Sequence, residues 1–296
     1  MAYTVRTTQV KTILSKSGLP DADWTINPYM GCRFGCKYCY AAFVGRFRHP
    51  DEEWGEYVDV KENAPQLLRK ELGRKLKETK DIGTIFFSSI TDPYQGLEAQ
   101  YKLTRGCLEV LLEADYQGMI SILTKSALVT RDIDLFPQFA NLEVGMTITS
   151  TGDPISKYLE TYASPHEERL KSLEKLSEAG INTYAFIGPL LPHFVWQEAE
   201  MRDLLQRIKD AGVQYVYMEH LNINAPIKKR LFEHLEKDHP ELVEKFQQAD
   251  SEEYRAKLDE MMHRLLKEVG LPLAHERVIY HQDKGSWDKL AHGPKP

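Results

Sequence analysis

The chain has 296 residues, 42% of them apolar, with 38 Lys and Arg against 44 Asp and Glu for a net charge of −6. Such a composition excludes intrinsic disorder and fits one large or two small globular domains, and the acidic balance removes the simplest argument for nucleic-acid binding, a strongly basic domain. Four cysteines are too few for a disulfide scaffold, and no run approaches the roughly 18 apolar residues of a membrane span.

Residues 1–23 lack the apolar core of a signal peptide, which points to a cytoplasmic chain. They read as a lead-in lying across the main fold. From 24 to 222, short apolar and β-branched runs alternate with helical patterns. The predicted strands are Trp24–Tyr29, Thr84–Ser88, Met119–Thr124, Leu142–Thr149, Asn182–Ile187 and Gln214–Met218. Between them, 65–78, 103–115, 166–180 and 196–212 carry apolar residues three and four apart, and Gly180 and Gly212 suit helix stops. Such alternation implies a parallel sheet with right-handed crossovers. Six units are two short of a closed eightfold barrel. The predicted fold class is therefore α/β, a partial (β/α)6 TIM-type barrel with ligands at the C-terminal strand ends. Residues 223–296 change character. Lys-, Glu- and Leu-rich helices over 226–268 break near Pro240 and Asp250, and a weakly periodic tail runs from Leu271 to Pro296. This region is expected to form a C-terminal helical cap with a frayed end.

The first predicted strand runs into Asn27-Pro28-Tyr29-Met30-Gly31-Cys32-Arg33-Phe34-Gly35-Cys36-Lys37-Tyr38-Cys39-Tyr40. Cys32, Cys36 and Cys39 have the spacing C-x3-C-x2-C. Three thiolates on one short loop can wrap a face of a cuboidal iron–sulfur cluster and leave one iron open, with Gly31 and Gly35 giving the loop its backbone freedom. Two alternatives stand beside this. A structural zinc site wants four N or S ligands, and only His49 is near enough to complete one. Chance grouping of structural cysteines is the other. Cys107, in a helical pattern, is either a distant fourth ligand or a buried small hydrophobe.

C-x3-C-x2-C after the first strand of a six-unit β/α barrel resembles the radical S-adenosylmethionine (SAM) enzymes. The flanks KSGLP, NPYMGC, CKYCY, SSITDPYQ, LTKSALVTRDIDLF and AGI with IGPLLP resemble the spore photoproduct lyase-like subgroup over roughly residues 10–222. The resemblance implies a [4Fe–4S] cluster on Cys32, Cys36 and Cys39. SAM would chelate the open iron and, on one-electron reduction by an external donor, yield a 5′-deoxyadenosyl radical. Ser88, Ser89, Thr91 and Asp92 end the second strand and can accept bonds from the SAM ammonium, or form a capped turn before Pro93. Lys125 resembles the lysine facing the SAM carboxylate; alone it reads as a solvated lysine. Thr147 and Thr149 alternate on the fourth strand, where one can bond the ribose, although β-propensity explains both. Gly188 resembles a residue packing on adenine, or marks a plain bend. Glu219, His220 and Asn222 end the sixth strand and line the substrate mouth or form a structural polar cluster. Tyr38 and Tyr40 resemble relay residues for a returning hydrogen atom; alone, each reads as a packing aromatic.

The lyases carry a cysteine in the second-strand segment, where this chain has Ser89. That thiol gives a hydrogen atom to the product radical, which a serine O–H bond is too strong to do. Together with the acidic charge, this shifts the expected reaction from lyase-like DNA repair toward C–C or C–N cleavage in a ribosomal precursor peptide, of the splicease type. A small partner protein would then present the peptide, with the 226–268 helices as a docking surface or simply a solvated cap. DNA repair is the alternative, and a non-catalytic zinc module binding nucleic acid is a more distant one.

Overall fold

The computed structural model describes residues 3–77, 79, 81–223 and 225–280; the predicted tail beyond 280 lies outside them. The chain begins with β1 (Thr4–Thr8), β2 (Leu14–Lys16), β3 (Trp24–Ile26), β4 (Tyr29–Met30) and β5 (Tyr57–Lys61). Helices and strands then alternate: α1 (Ala64–Lys75), β6 (Ile85–Phe87), α2 (Glu98–Tyr101), α3 (Leu103–Glu113), β7 (Ile120–Thr124), β8 (Leu142–Thr147), α4 (Pro154–Leu159), α5 (His166–Glu178), β9 (Asn182–Leu190), α6 (Glu198–Asp210) and β10 (Tyr215–His220). Three helices come last, α7 (Ala225–Asp238), α8 (Val243–Gln248) and α9 (Glu252–Val269).

The order β10-β9-β8-β7-β6-β3-β2 forms one sheet, parallel from β3 to β10 with β2 antiparallel at its edge. This is the six-unit α/β sheet that the sequence predicts. Among the described residues it does not close, because β2 and β10 are its ends. Beside β10 the chain returns after α9. Val216 N donates to Pro272 O at 2.9 Å and Ile279 N to Met218 O at 2.8 Å, so that edge is partly covered.

Alternation along the strands separates the two faces. On β7, Ile120 and Ile122 are fully buried, while Ser121, Leu123 and the following Lys125 line the lumen. On β9, Ala185 and Ile187 are the buried set, and Tyr184, Phe186 and Gly188 the lumen set. The helices bury one stripe each: Leu108 and Leu111 on α3, Leu170, Leu173 and Leu176 on α5, Leu204, Leu205 and Ile208 on α6. At about 1.5–3 kcal/mol per buried Leu or Ile, these stripes hold the crossovers on the sheet. Gly180 and Gly212 follow α5 and α6 at φ 75° and 82°, the left-handed stop their sequence position predicts. α9 buries Leu258, Met262 and Leu265 and packs on α6, whereas α7 packs on the turn at Tyr40–Phe47. No helix among the described residues is long and apolar enough to cross a membrane.

Three expectations change. The strand predicted at Trp24–Tyr29 is two: β3 stops at Ile26, and past Pro28, which has no N–H for a ladder, β4 pairs with β5 in a separate sheet ordered β1-β5-β4. The lead-in is not merely laid across the barrel, since β1 pairs in parallel with β5 and β2 extends the main sheet. The strand predicted to reach Thr149 ends at Thr147.

Candidate active site

The cysteine loop leaves β4 through Gly31, whose φ is 85°; a Cβ there would lie 2.4 Å from the Tyr57 carbonyl oxygen. Side chains from the second unit hold it. Thr91 Oγ1 donates to Gly31 O at 2.6 Å, Gln95 Nε2 donates to the same oxygen at 3.2 Å, and Gln95 Oε1 accepts from Arg33 N at 3.0 Å. From the other side, Lys37 N donates to Leu159 O at 2.9 Å. The fixed loop presents Cys32, Cys36 and Cys39 to a cavity of about 540 Å³ that also takes in the C-terminal ends of the strands.

Burial pushes all three thiols up, Cys36 to about 12, although Lys125 draws Cys36 and Cys39 back. Thiolates in this setting need a positive centre beside them. Among the described residues no group of three His, Cys, Asp or Glu converges as a single metal ion requires. A cuboidal cluster takes each thiolate on a separate iron, so this donor set fits a cluster better than zinc. His49, the one residue near enough to complete a zinc site, is engaged elsewhere: it pairs with Glu52 at 2.6 Å and Asp59 at 3.2 Å and stacks on Tyr57. Cys107 is fully buried on α3 and does not line the cavity.

The strand-end polar residues separate into groups. Ser88, Ser89, Thr91 and Asp92 all line the cavity. Asp92 is buried, and its oxygens accept from Thr124 Oγ1 at 2.6 Å, Lys125 N at 2.8 Å and Tyr94 N at 2.9 Å. Burial pushes its carboxyl up. With Ser88 donating to Ile26 O at 3.3 Å, the second-strand end is a bonded turn as well as a cavity wall. Ser89 accepts from Asn27 Nδ2 at 3.3 Å. Lys125 extends its ammonium into the same space, 5.9 Å from the Tyr38 ring, and forms no ion pair among the described residues. Thr147 lines the cavity; Thr149 does not. Past the end of β8 the alternation lapses, and the Thr149 hydroxyl turns to Glu160 and His166, each at 3.2 Å. Gly188 also lines the cavity, but the place of its missing Cβ is filled by the Phe186 ring at 2.0 Å.

The two tyrosines beside Cys39 diverge. Tyr40 is half exposed and donates to the Ser89 carbonyl. Tyr38 is buried and donates to Glu160, a carboxylate enclosed with Arg169 at 2.6 Å and His166 at 3.5 Å. Burial alone would raise Glu160, but Arg169, then Lys125 and His166, hold it at about 2. At the end of β10, Glu219, His220 and Asn222 line the cavity. His220 Nε2 is bonded to Asp259 of α9 at 2.6 Å, and Asn222 Oδ1 is buried without a hydrogen-bond donor.

Sequence reasoning missed Gln95, Glu160, His166, Arg169 and Arg230. Gln95 stands seven residues beyond Ser88, within the SSITDPYQ segment, but its polarity reads as a turn. Arg230 donates from α7 to the carbonyls of Cys36 and Lys37 at 2.9 and 2.6 Å. Pairs 122 to 194 residues apart leave no local pattern to read.

A model of the radical SAM superfamily matches residues 26–205. An uncharacterized protein of Methanocaldococcus jannaschii is 37% identical over 237 residues, 80% of this chain and 84% of that one. A radical SAM Nalpha-GlyT isomerase of a Pseudomonas phage is 23% identical over 83% of this chain, which spans about half, 52%, of that enzyme. Among solved structures, spore photoproduct lyase complexed with dinucleoside spore photoproduct superposes with a TM-score of 0.65 at 16% identity, covering 91% of this chain and 81% of that one.

Proposed function

The chain belongs to the radical SAM superfamily, and we propose that it acts on a polymeric substrate by a radical reaction that closes without an enzyme thiol. Members of this superfamily use a [4Fe–4S] cluster and SAM. Bound together, these would pass one electron from the cluster to the SAM sulfonium, releasing methionine and a 5′-deoxyadenosyl radical able to take a hydrogen atom from substrate. In this reading Cys32, Cys36 and Cys39 hold the cluster and the Lys125 ammonium meets the SAM carboxylate. Ser88, Ser89, Thr91 and Thr147 shape the SAM wall, and Asp92 fixes the backbone of Lys125. Asn222 Oδ1, a buried acceptor without a donor, is suited to a ribose or adenine N–H or O–H.

One observation carries the reaction class: every thiol lining the cavity belongs to the C-x3-C-x2-C loop, and Cys107 is sealed in the core. A serine stands at 89, and its O–H bond is too strong to return a hydrogen atom to a carbon radical. A rearrangement such as the isomerisation named for the phage relative would close without an enzyme thiol by taking the hydrogen atom back from 5′-deoxyadenosine, and a cleavage would close when the external donor gives one electron, and solvent one proton, to the fragment radical. If a hydrogen atom must return, Tyr40 is better placed than Tyr38: both line the cavity, but the Tyr40 hydroxyl borders Ser89 whereas the Tyr38 hydroxyl is committed to the buried Glu160.

The polymeric substrate is supported by the cavity's rim. Tyr40 and Phe43 line the cavity, and the strip continues to Phe47, 83% exposed, beyond it. The acidic side chains Asp21, Glu143 and Glu219 along the lumen favour a precursor peptide over a phosphate-bearing strand. A small partner protein on α7–α9 would then present that peptide. The second reading, a nucleic-acid substrate in lyase-like repair, is favoured by Arg46, whose guanidinium lies 4.5 Å from the Phe47 ring and suits a phosphate beside a stacked base.

Anaerobic reconstitution with iron and sulfide, followed by reduction with SAM present, tests the chemistry. Four irons per chain and release of 5′-deoxyadenosine are expected. Zinc binding without SAM cleavage would end the proposal. Deuterium transfer into 5′-deoxyadenosine from a labelled peptide or a labelled single-stranded oligonucleotide then separates the two substrates.

A further inference from the structure

The cap helix α7 reaches the cysteine loop through one residue. Arg230 Nη1 donates to Cys36 O at 2.9 Å and Lys37 O at 2.6 Å, and the guanidinium is half-buried between them and the cap. Among the described residues it forms no ion pair with a carboxylate. Its helix is itself tied down beside the loop. The Tyr158 hydroxyl at the end of α4 donates to Asp238 Oδ2 at 2.7 Å and lies 3.0 Å from His234 O, both on α7. The same stretch of α4 receives Lys37 N on Leu159 O. Loop, α4 and α7 thus form a closed bracket around the segment between the second and third cysteines.

We propose that Arg230 is a positioning residue for the cluster, clamping the Cys36–Lys37 backbone and setting the cluster's reduction potential through an unpaired positive charge. This rests on the assignment of Cys32, Cys36 and Cys39 as cluster ligands. Reduction adds one negative charge to a cluster already anionic with its three thiolates. A fixed cation in a partly desolvated site favours the reduced form more than the oxidised one. Two carbonyl bonds hold that cation in place without neutralising it.

The test is an anaerobic redox titration of the reconstituted full-length chain, followed by the EPR signal of the reduced cluster, for wild type, Arg230→Gln and Arg230→Lys. Wild type and Arg230→Lys are expected to hold four irons per chain, and Arg230→Gln is read at whatever cluster loading it retains. Arg230→Gln should shift the reduction equilibrium about tenfold toward the oxidised form, ~59 mV for a one-electron couple. Arg230→Lys, which keeps the charge, should recover most of that shift. An unchanged midpoint in fully loaded Arg230→Gln overturns the proposal. So does equal loss of cluster and of thermal stability in both variants, which marks Arg230 as structural only. Loss of cluster in Arg230→Gln alone, with native circular dichroism and melting temperature, supports the clamp. If wild type takes up no cluster, the ligand assignment itself falls, and that result is distinct from all of these.

Discussion

Tyr38 and Glu160 meet inside the protein although 122 residues separate them: the phenol between the second and third cysteines donates to a buried carboxylate at the end of α4. The same carboxylate pairs with Arg169, which is 1% exposed, and takes a bond from Thr149. The back of the cysteine loop therefore rests on a charged network as well as on the apolar packing of Phe34 and Trp54. Such a network is costly to break, because any missing member leaves a buried charge or donor unmatched.

Glu160→Gln removes the charge that Arg169 faces. Loss of about 3–5 kcal/mol is expected from breaking a buried pair of this kind. Tyr38→Phe gives up one hydrogen bond to a charged group, about 1.5–3 kcal/mol. Urea denaturation of both single variants and the double variant checks this; additive losses would contradict a shared network.

Acid should loosen the same region. His166 is lowered by burial from 6.5 to about 4, and Glu160 is held at about 2 against an ordinary 4.5. Both values are lower in the folded chain, so the unfolded chain binds more protons as pH falls. The stability they confer is complete above pH 6.5. The His166 share is lost between about 6.5 and 4, and the Glu160 share between about 4.5 and 2. Melting temperature followed from pH 7 to 3 reads this directly. Glu160 faces Arg169, Lys125, His166 and Tyr38, and His166 also feels Asp153. His166→Asn should flatten the upper part of the slope, and an unchanged slope would assign it to other groups.

Cys36→Ala is expected to abolish 5′-deoxyadenosine release and leave fewer than four irons per chain, because two thiolates hold the cluster poorly. Cys107→Ala should leave release nearly intact at a cost of about 1 kcal/mol for the small void in α3. Iron content and product release for both variants decide the three-to-one division of the thiols.

Lys125→Met is expected to weaken SAM binding by roughly 10- to 100-fold, the loss of one charge-assisted bond of about 1.5–3 kcal/mol. Calorimetric titration of the cluster-loaded protein measures it. Affinity equal to wild type would place the SAM carboxylate elsewhere.

Gly188→Ala puts a methyl where the Phe186 ring lies at 2.0 Å. Overpacking of this kind costs about 1–3 kcal/mol unless the ring moves. Phe186→Leu in the same chain should recover much of it, as thermal melts of the single and double variants will report.

The wall residues of the site were legible to the degree that their position is local. A residue at the C-terminal end of a parallel strand faces the mouth whatever its neighbours do, and Ser88, Lys125, Gly188 and Glu219 all line the cavity. Thr149 failed that reasoning because β8 stops two residues earlier, and strand ends depend on neighbouring chains. Strands β1 and β2 were missed because short, exposed, Thr- and Ser-bearing segments carry no apolar alternation.

The sequence by itself determined the strand–helix alternation from β6 to β10, the six-unit parallel sheet and the grouping of three thiols on one loop, because each rests on periodicity or spacing within a few residues. Only the tertiary structure decided what surrounds that loop. It put Gln95 and Thr91 on one side, Glu160 with Arg169 behind, and Arg230 of α7 against the carbonyls of Cys36 and Lys37. It also sealed Cys107 in the core, away from the cavity. Buried polar groups find their partners wherever the packed helices bring them, and a satisfied charge pair across more than a hundred residues leaves no mark on either neighbourhood of the chain.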